Sequence, residues 1–145
     1  MILTYVIPRF HWVRCQLDVI SKCTTEKAID LALTTLPKDI YETYERILLK
    51  IVGEGEEIAS TAEKILTWLV GAMRPLELSE LEEAIMIEPG MMKLNTSSRL
   101  IDPSDILTIC GSLVEDFVDE DGLQIVRLSH YTVRVSMSHS YLRQQ

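Results

Sequence analysis

Two apolar, β-prone runs, Leu113–Val118 and Leu123–Leu128, are separated by Asp119-Glu120-Asp121-Gly122, a polar link that ends in glycine. A link of that length and chemistry between two such runs reads as a β-hairpin. Upstream of it, the apolar residues recur almost throughout at three- and four-residue steps, the spacing of one helix face. A chain that is helical up to a single late hairpin has few architectures open to it.

The helices can be placed from their stripes and caps. Phe10, Val13, Leu17 and Ile20 line one face of a first helix, Phe10–Cys23, flanked by Trp12. Thr24 or Thr25 caps a second, Glu26 to about Leu36, carrying Ile29, Ala32, Leu33 and Leu36 and stopped by Pro37. Asp39 and Glu42 resemble a capping box for a third, which carries Ile40, Tyr44, Ile47, Leu48 and Ile51 up to Gly53. The Gly- and Glu-rich stretch 53–56 is the one internal break. A helix over 56–73 follows, on Ile58, Ala62, Ile65, Leu66, Leu69 and Met73. Arg74–Leu78 reads as extended, since a proline turns its predecessor away from helix. Ser79 and Glu82 suggest a capping box for a short helix over Glu80–Ile87, halted by Pro89-Gly90, with a polar loop after it. Asp102, Pro103 and Asp105 open a further helix that carries Ile106, Leu107, Ile109 and Cys110 and stops at Gly111. Helix, short strand, helix, helix and hairpin, in that order, is a winged helix: a helix-turn-helix relative with a β-hairpin wing. The expected fold class is therefore mainly α, a helical subdomain plus a winged helix.

A winged helix invites a DNA-binding reading, because the third helix commonly enters the major groove. Base readout needs Arg, Lys, Asn or Gln, and phosphate contacts need cations. From Leu100 to Ser112 there is no Lys or Arg, while Asp102 and Asp105 are present, and the wing tip adds Asp119, Glu120 and Asp121. The whole chain has 14 Lys+Arg against 22 Asp+Glu, a net charge of −8. Such a chain repels phosphate backbones and anionic membranes. A protein-facing surface is the expectation, with no nucleic acid and no membrane as partner. At 145 residues and 47% hydrophobic content, the chain is one domain's worth of ordinary globular sequence.

Catalysis is not expected. No phosphate loop, GxGxxG, HExxH or GxSxG is present. His11, His130 and His139 are far apart, and the pairs Ser129-His130 and Ser138-His139 set neighbouring side chains on opposite faces of a strand. Asp119, Glu120 and Asp121 lack the ligand spacing of a calcium loop. Cys15, Cys23 and Cys110 have no CxxC and no histidine at ligand spacing, and read as reduced thiols used as small hydrophobes. That usage fits a reducing compartment, the cytoplasm.

Several strings carry more information than their spacing. Phe10-His11-Trp12-Val13-Arg14-Cys15-Gln16-Leu17-Asp18 resembles a segment of large fungal NACHT-type NTPases, STAND-class signalling proteins that often bear ankyrin repeats. So does the string Leu36-Pro37-Lys38-Asp39-Ile40-Tyr41-Glu42-Thr43-Tyr44, and the likeness continues through Asp102-Pro103-Ser104-Asp105, Cys110-Gly111-Ser112 and Val126-Arg127-Leu128-Ser129-His130. It covers roughly residues 10–134. Its later part resembles the segment known as the GPI inositol-deacylase winged helix, a name from which lipid hydrolysis does not follow.

The resemblance implies a regulatory and interaction module that follows an NTPase core. In the resting state such a winged helix folds back on the core and helps hold ADP; exchange for ATP releases it. A histidine after the last wing strand commonly touches the nucleotide phosphate, and by motif position that residue is His130. An imidazole N–H offered to a phosphate oxygen would report which nucleotide is bound, a switch contact and not a catalytic one. The competing reading of His130 is a partly buried strand-end histidine bonded to backbone. No cofactor is expected in this chain itself, ADP or ATP belonging to the full-length family. The expected partners are a NACHT core, in cis or in trans, and other proteins.

The likeness divides the chain into a non-matching segment 1–9, a helical subdomain 10–53, a winged helix 54–134 and a divergent tail 135–145. Both ends suggest a longer gene that was cut, spliced differently or mispredicted. The rivals to a regulatory module are a non-functional remnant, a trans-acting adaptor and, against the charge argument, a DNA-binding domain.

Overall fold

The structure, a computed structural model, describes residues 2–142 other than 89, 91 and 95, with side chains described from 10 to 138. It consists of two compact units, Met1–Leu48 and Leu49–Gln145.

The first unit holds α1 (Ile2–Ser21), α2 (Glu26–Thr34) and the beginning of α3 (Ile40–Gly53). Thr25 caps α2 as its residue type predicts, its hydroxyl accepting from the Ala28 N–H at 3.2 Å. Asp39 caps α3 in the same way, taking the Glu42 N–H at 2.9 Å. The Glu42 carboxylate reaches back to the Lys38 N–H at 2.8 Å, one residue beyond the Asp39 N–H that a standard capping box would use.

Helix α1 departs from expectation twice. It begins at Ile2 and not at Phe10, running through Pro8. Its apolar stripe also does not face the interior: Phe10 is 71% and Leu17 59% exposed, while His11, Cys15 and Gln16 are buried. The polar members of that buried face are tolerated because they find partners. Gln16 Nε2 donates to Thr43 Oγ1 at 3.1 Å, and Thr43 Oγ1 in turn donates to the Asp39 carbonyl at 2.9 Å. The His11 ring lies 6.0 Å from that of the fully buried Tyr44.

The second unit contains α4 (Glu56–Gly71), β1 (Leu76–Glu77), α5 (Leu78–Ala84), α6 (Asp105–Cys110), β2 (Val114–Val118), β3 (Gln124–Leu128) and α7 (Tyr131–Leu142). Helix α4 buries Ala62, Ile65, Leu66 and Leu69, the centre of the expected stripe, and packs on α5, α6, α7 and β3. It ends at Gly71, so Met73, expected as the last member of the stripe, stands fully exposed. The strands form one antiparallel sheet in the order β1-β3-β2, with Leu76 opposite Val126 and Asp116 also opposite Val126 from the other side. The middle strand β3 buries both Ile125 and Val126, one on each face. Leu81, Ile85, Ile106, Cys110, Leu113 and Val133 complete the fully buried interior.

Two start signals shift. The capping box of α5 is formed by Glu77 and Glu80, not Ser79 and Glu82, because β1 ends at Glu77 and the helix begins at once. Pro89, assigned to halt this helix, lies outside the described residues; the helix has already ended at Ala84. Asp102 does terminate the preceding loop, accepting from Ser104 N and Oγ at 2.9 and 2.6 Å. The bonds that follow, Asp105 N to Asp102 O and Ile106 N to Pro103 O, are three-residue steps, so α6 proper starts at Asp105.

Candidate functional site

The wing is built as its sequence suggests. Asp119 Oδ1 accepts from the N–H groups of Asp121 and Leu123 at 3.0 and 2.9 Å, and Gly122 takes φ +82°, a region that favours glycine. With its carboxylate committed to the turn, Asp119 leaves Glu120 and Asp121 as the exposed charges of the tip. On the strands, Gln124 donates to Asp116 at 2.8 Å and Arg127 to Glu115 at 3.0 Å, and the Arg127 guanidinium lies 4.7 Å over the Phe117 ring. The parts that a DNA-reading winged helix would arm with cations, α6 with the turn before it and the wing tip, therefore present Asp102, Asp105, Glu120 and Asp121.

His130 follows β3 at the entrance to α7 and is half-buried. Its Nδ1 accepts from the Thr132 N–H at 3.3 Å and lies 2.8 Å from Thr132 Oγ1. An Nδ1 that accepts places the ring proton on Nε2. Burial pushes the His130 pKa below its ordinary 6.5, and the Glu115 carboxylate partly opposes that shift. The Tyr131 ring lies 4.4 Å away, centroid to centroid. Thus the backbone bond of the strand-end reading is present, with an Nε2–H tautomer beside it.

His130 lines a cavity of about 310 Å³ whose apolar lining includes Leu69, Pro75, Val126 and Leu128. Three guanidinium groups join it, Arg74, Arg127 and Arg134. Arg134 also closes α4: its Nη2 donates to the Leu69 and Ala72 carbonyls at 3.3 and 3.0 Å, a cation on the negative end of a helix. Nothing in the sequence brought these three arginines together. They are up to 60 positions apart, and only the pairing of β1 with β3 and the packing of α7 on α4 unites them.

The serine–histidine pairs do other work. Ser129 Oγ donates to the Ser112 carbonyl at 2.7 Å and Ser138 Oγ to the Arg134 carbonyl at 2.9 Å; the His139 side chain lies outside the described residues. Cys15 and Cys110 are buried free thiols and Cys23 a half-buried one, and burial raises the pKa of Cys15 and pushes that of Cys110 up to about 12. A thiol so shifted stays protonated and unreactive at neutral pH. Among the described residues no helix is long and apolar enough to cross a membrane.

A three-stranded antiparallel sheet, with α4, α5 and α6 packed beneath a β2–β3 hairpin, defines a winged-helix domain, here one with an acidic third helix. The chain belongs to the family described as GPI inositol-deacylase, winged helix domain, which matches residues 49–143. It is also similar to azaphilone pigments biosynthesis cluster protein L of Monascus ruber, with 34% identity over 124 residues. That match covers 83% of this chain and 26% of the relative, so the chain spans about a quarter of that protein's length. No solved structure matches it.

Proposed function

We propose that this chain is a regulatory and interaction module of a NACHT/STAND-type signalling NTPase of the fungal, ankyrin-repeat kind. It packs on the nucleotide-binding core in the resting state, in cis or in trans, and carries out no catalysis of its own. The observation that carries this reading is the chemistry of α6 and the wing. Asp102, Asp105, Glu120 and Asp121 stand where a DNA reader needs cations, so this winged helix meets protein and neither nucleic acid nor membrane. Support comes also from the family match and from the length of the fungal relative, of which the matched segment makes up 26%. His130, which lines the same cavity as Arg134, is the residue this reading assigns to sensing phosphate once a core supplies ADP. The reading places the protein in the cytoplasm, where such NTPases act.

The test is association of the full chain with the nucleotide-binding core of a longer relative, measured by co-purification with ADP and with ATP. Retention with ADP and release with ATP is the expected result. Equal absence of association with both nucleotides overturns the proposal, and salt-sensitive binding to duplex DNA would restore the DNA-binding alternative.

A further inference from the structure

The charge of the His130 cavity is out of keeping with its surroundings. Residues 49–145 carry 16 acidic and 8 basic side chains, yet three of those basic groups line the cavity and no carboxylate does. Arg74 and Arg127 already hold Glu80 and Glu115. Arg134 pairs with no carboxylate among the described residues, and its two backbone bonds use one nitrogen, Nη2, leaving Nη1 and Nε to donate. Apart from His130 and Tyr131, the rest of the lining is apolar, including the fully exposed Met73. A cavity of this make-up fits a segment that carries carboxylates next to an apolar side chain.

This chain displays such a segment. At the wing tip, Val118 is 67% exposed and Leu123 42% exposed, on either side of the exposed Glu120 and Asp121. The turn is fixed by the two bonds to Asp119 Oδ1, so little conformational freedom is lost when the tip is bound.

We propose that the wing tip of one copy of this chain enters the cavity of a second copy. Val118 packs on the apolar lining, and the Glu120 and Asp121 carboxylates meet the Nη1 and Nε donors of Arg134. The contact is head-to-tail, since wing and cavity are different surfaces of one molecule. The net charge of −8 opposes association at long range, but at physiological salt repulsion is screened beyond about 8 Å, whereas contact pairs form within about 4 Å. This inference concerns residues 49–145 alone and does not depend on an NTPase core.

Sedimentation velocity over a concentration series tests it, using the full chain and two variants. Met73→Glu places a carboxylate in the cavity at a fully exposed position. Glu120→Lys with Asp121→Lys reverses the wing tip. The wild type is expected to self-associate, each variant to weaken association by about tenfold or more, and an equimolar mixture of the two to form a heterodimer through its one intact wing and one intact cavity. A wild type that stays monomeric at every concentration overturns the proposal. So does self-association that neither variant changes, which would place the contact elsewhere, for example on the exposed Phe10–Leu17 face. Displacement of cavity NMR signals by ADP or inorganic phosphate, with no effect of the wing reversal, would assign the cavity to a small anion instead.

Discussion

Arg74 and Glu80 meet fork to fork, Nη1 and Nη2 of the guanidinium donating to the two carboxylate oxygens at 2.9 and 2.5 Å. The same carboxylate accepts the Glu77 N–H at 2.9 Å, so a single side chain ties the loop before β1 to the first turn of α5. That junction is where the winged helix turns from its sheet into its second helix.

The pairing makes a prediction about acid. Arg74's hydrogen bonds, and after them the Glu77 N–H, lower the Glu80 pKa from 4.5 to about 2. A carboxylate with a depressed folded-state pKa stabilises the fold fully above its unfolded value, and that contribution is lost as pH falls from about 4.5 through about 2. Both partners are solvent-exposed, so the effect is screened. Glu80→Gln is expected to melt below the wild type at neutral pH, with the gap closing as the pH approaches 2. Thermal unfolding followed by circular dichroism at a series of pH values checks this; a gap that persists to pH 2 would assign the loss to helix capping and not to charge.

His130 loses stability toward acid as well, but at higher pH and because burial disfavours its charged form. Burial lowers its folded-state pKa below 6.5, so the unfolded chain takes up a proton first, and stability declines as pH falls through 6.5 toward the folded value. Thr132 supports the neutral ring by donating its N–H to Nδ1. Proton NMR of the ring should give a midpoint under 6.5, and Thr132→Val should raise it by removing the hydroxyl next to Nδ1. A midpoint at 6.5 or above in the wild type would mean that the ring is hydrated or held by an anion.

Much of this fold could be read from the sequence, and the exceptions have physical causes. The hairpin was legible because Asp119 and Gly122 are local determinants: one accepts the turn's N–H groups, the other adopts its positive φ. The stripe of α4 was legible because four of its residues face one interior. Periodicity misplaced the buried face of α1, since apolar spacing cannot anticipate that Gln16 would find Thr43 from 27 residues away. The α5 cap moved because pairing of Leu76 with Val126, a tertiary event, fixes where extended chain gives way to helix. His130 could be singled out by motif position, whereas the arginines beside it are neighbours only in space. The clue available beforehand was that cations are scarce in the acidic stretch after residue 48.

Gly111 joins α6 to β2 and so sets the direction in which the wing leaves the third helix. Its φ of +53° with ψ of −136° is a conformation that L-residues rarely adopt, although a Cβ built there meets nothing within 4 Å. With no steric clash to relieve, the cost of Gly111→Ala is backbone strain alone, about 1–3 kcal/mol. For a unit of this size that corresponds to a melting temperature lower by roughly 4–8 °C per kcal/mol. Gly71→Ala is the control: it too has open space around its Cβ, but it ends α4 with an ordinary negative φ, so alanine there should be neutral or mildly stabilising, by up to about 1 kcal/mol. Chemical denaturation of the two variants separates the terms. If Gly111→Ala unfolds with wild-type stability, the junction has relaxed to another conformation, and amide exchange on β2 should then show the wing re-aimed relative to α6.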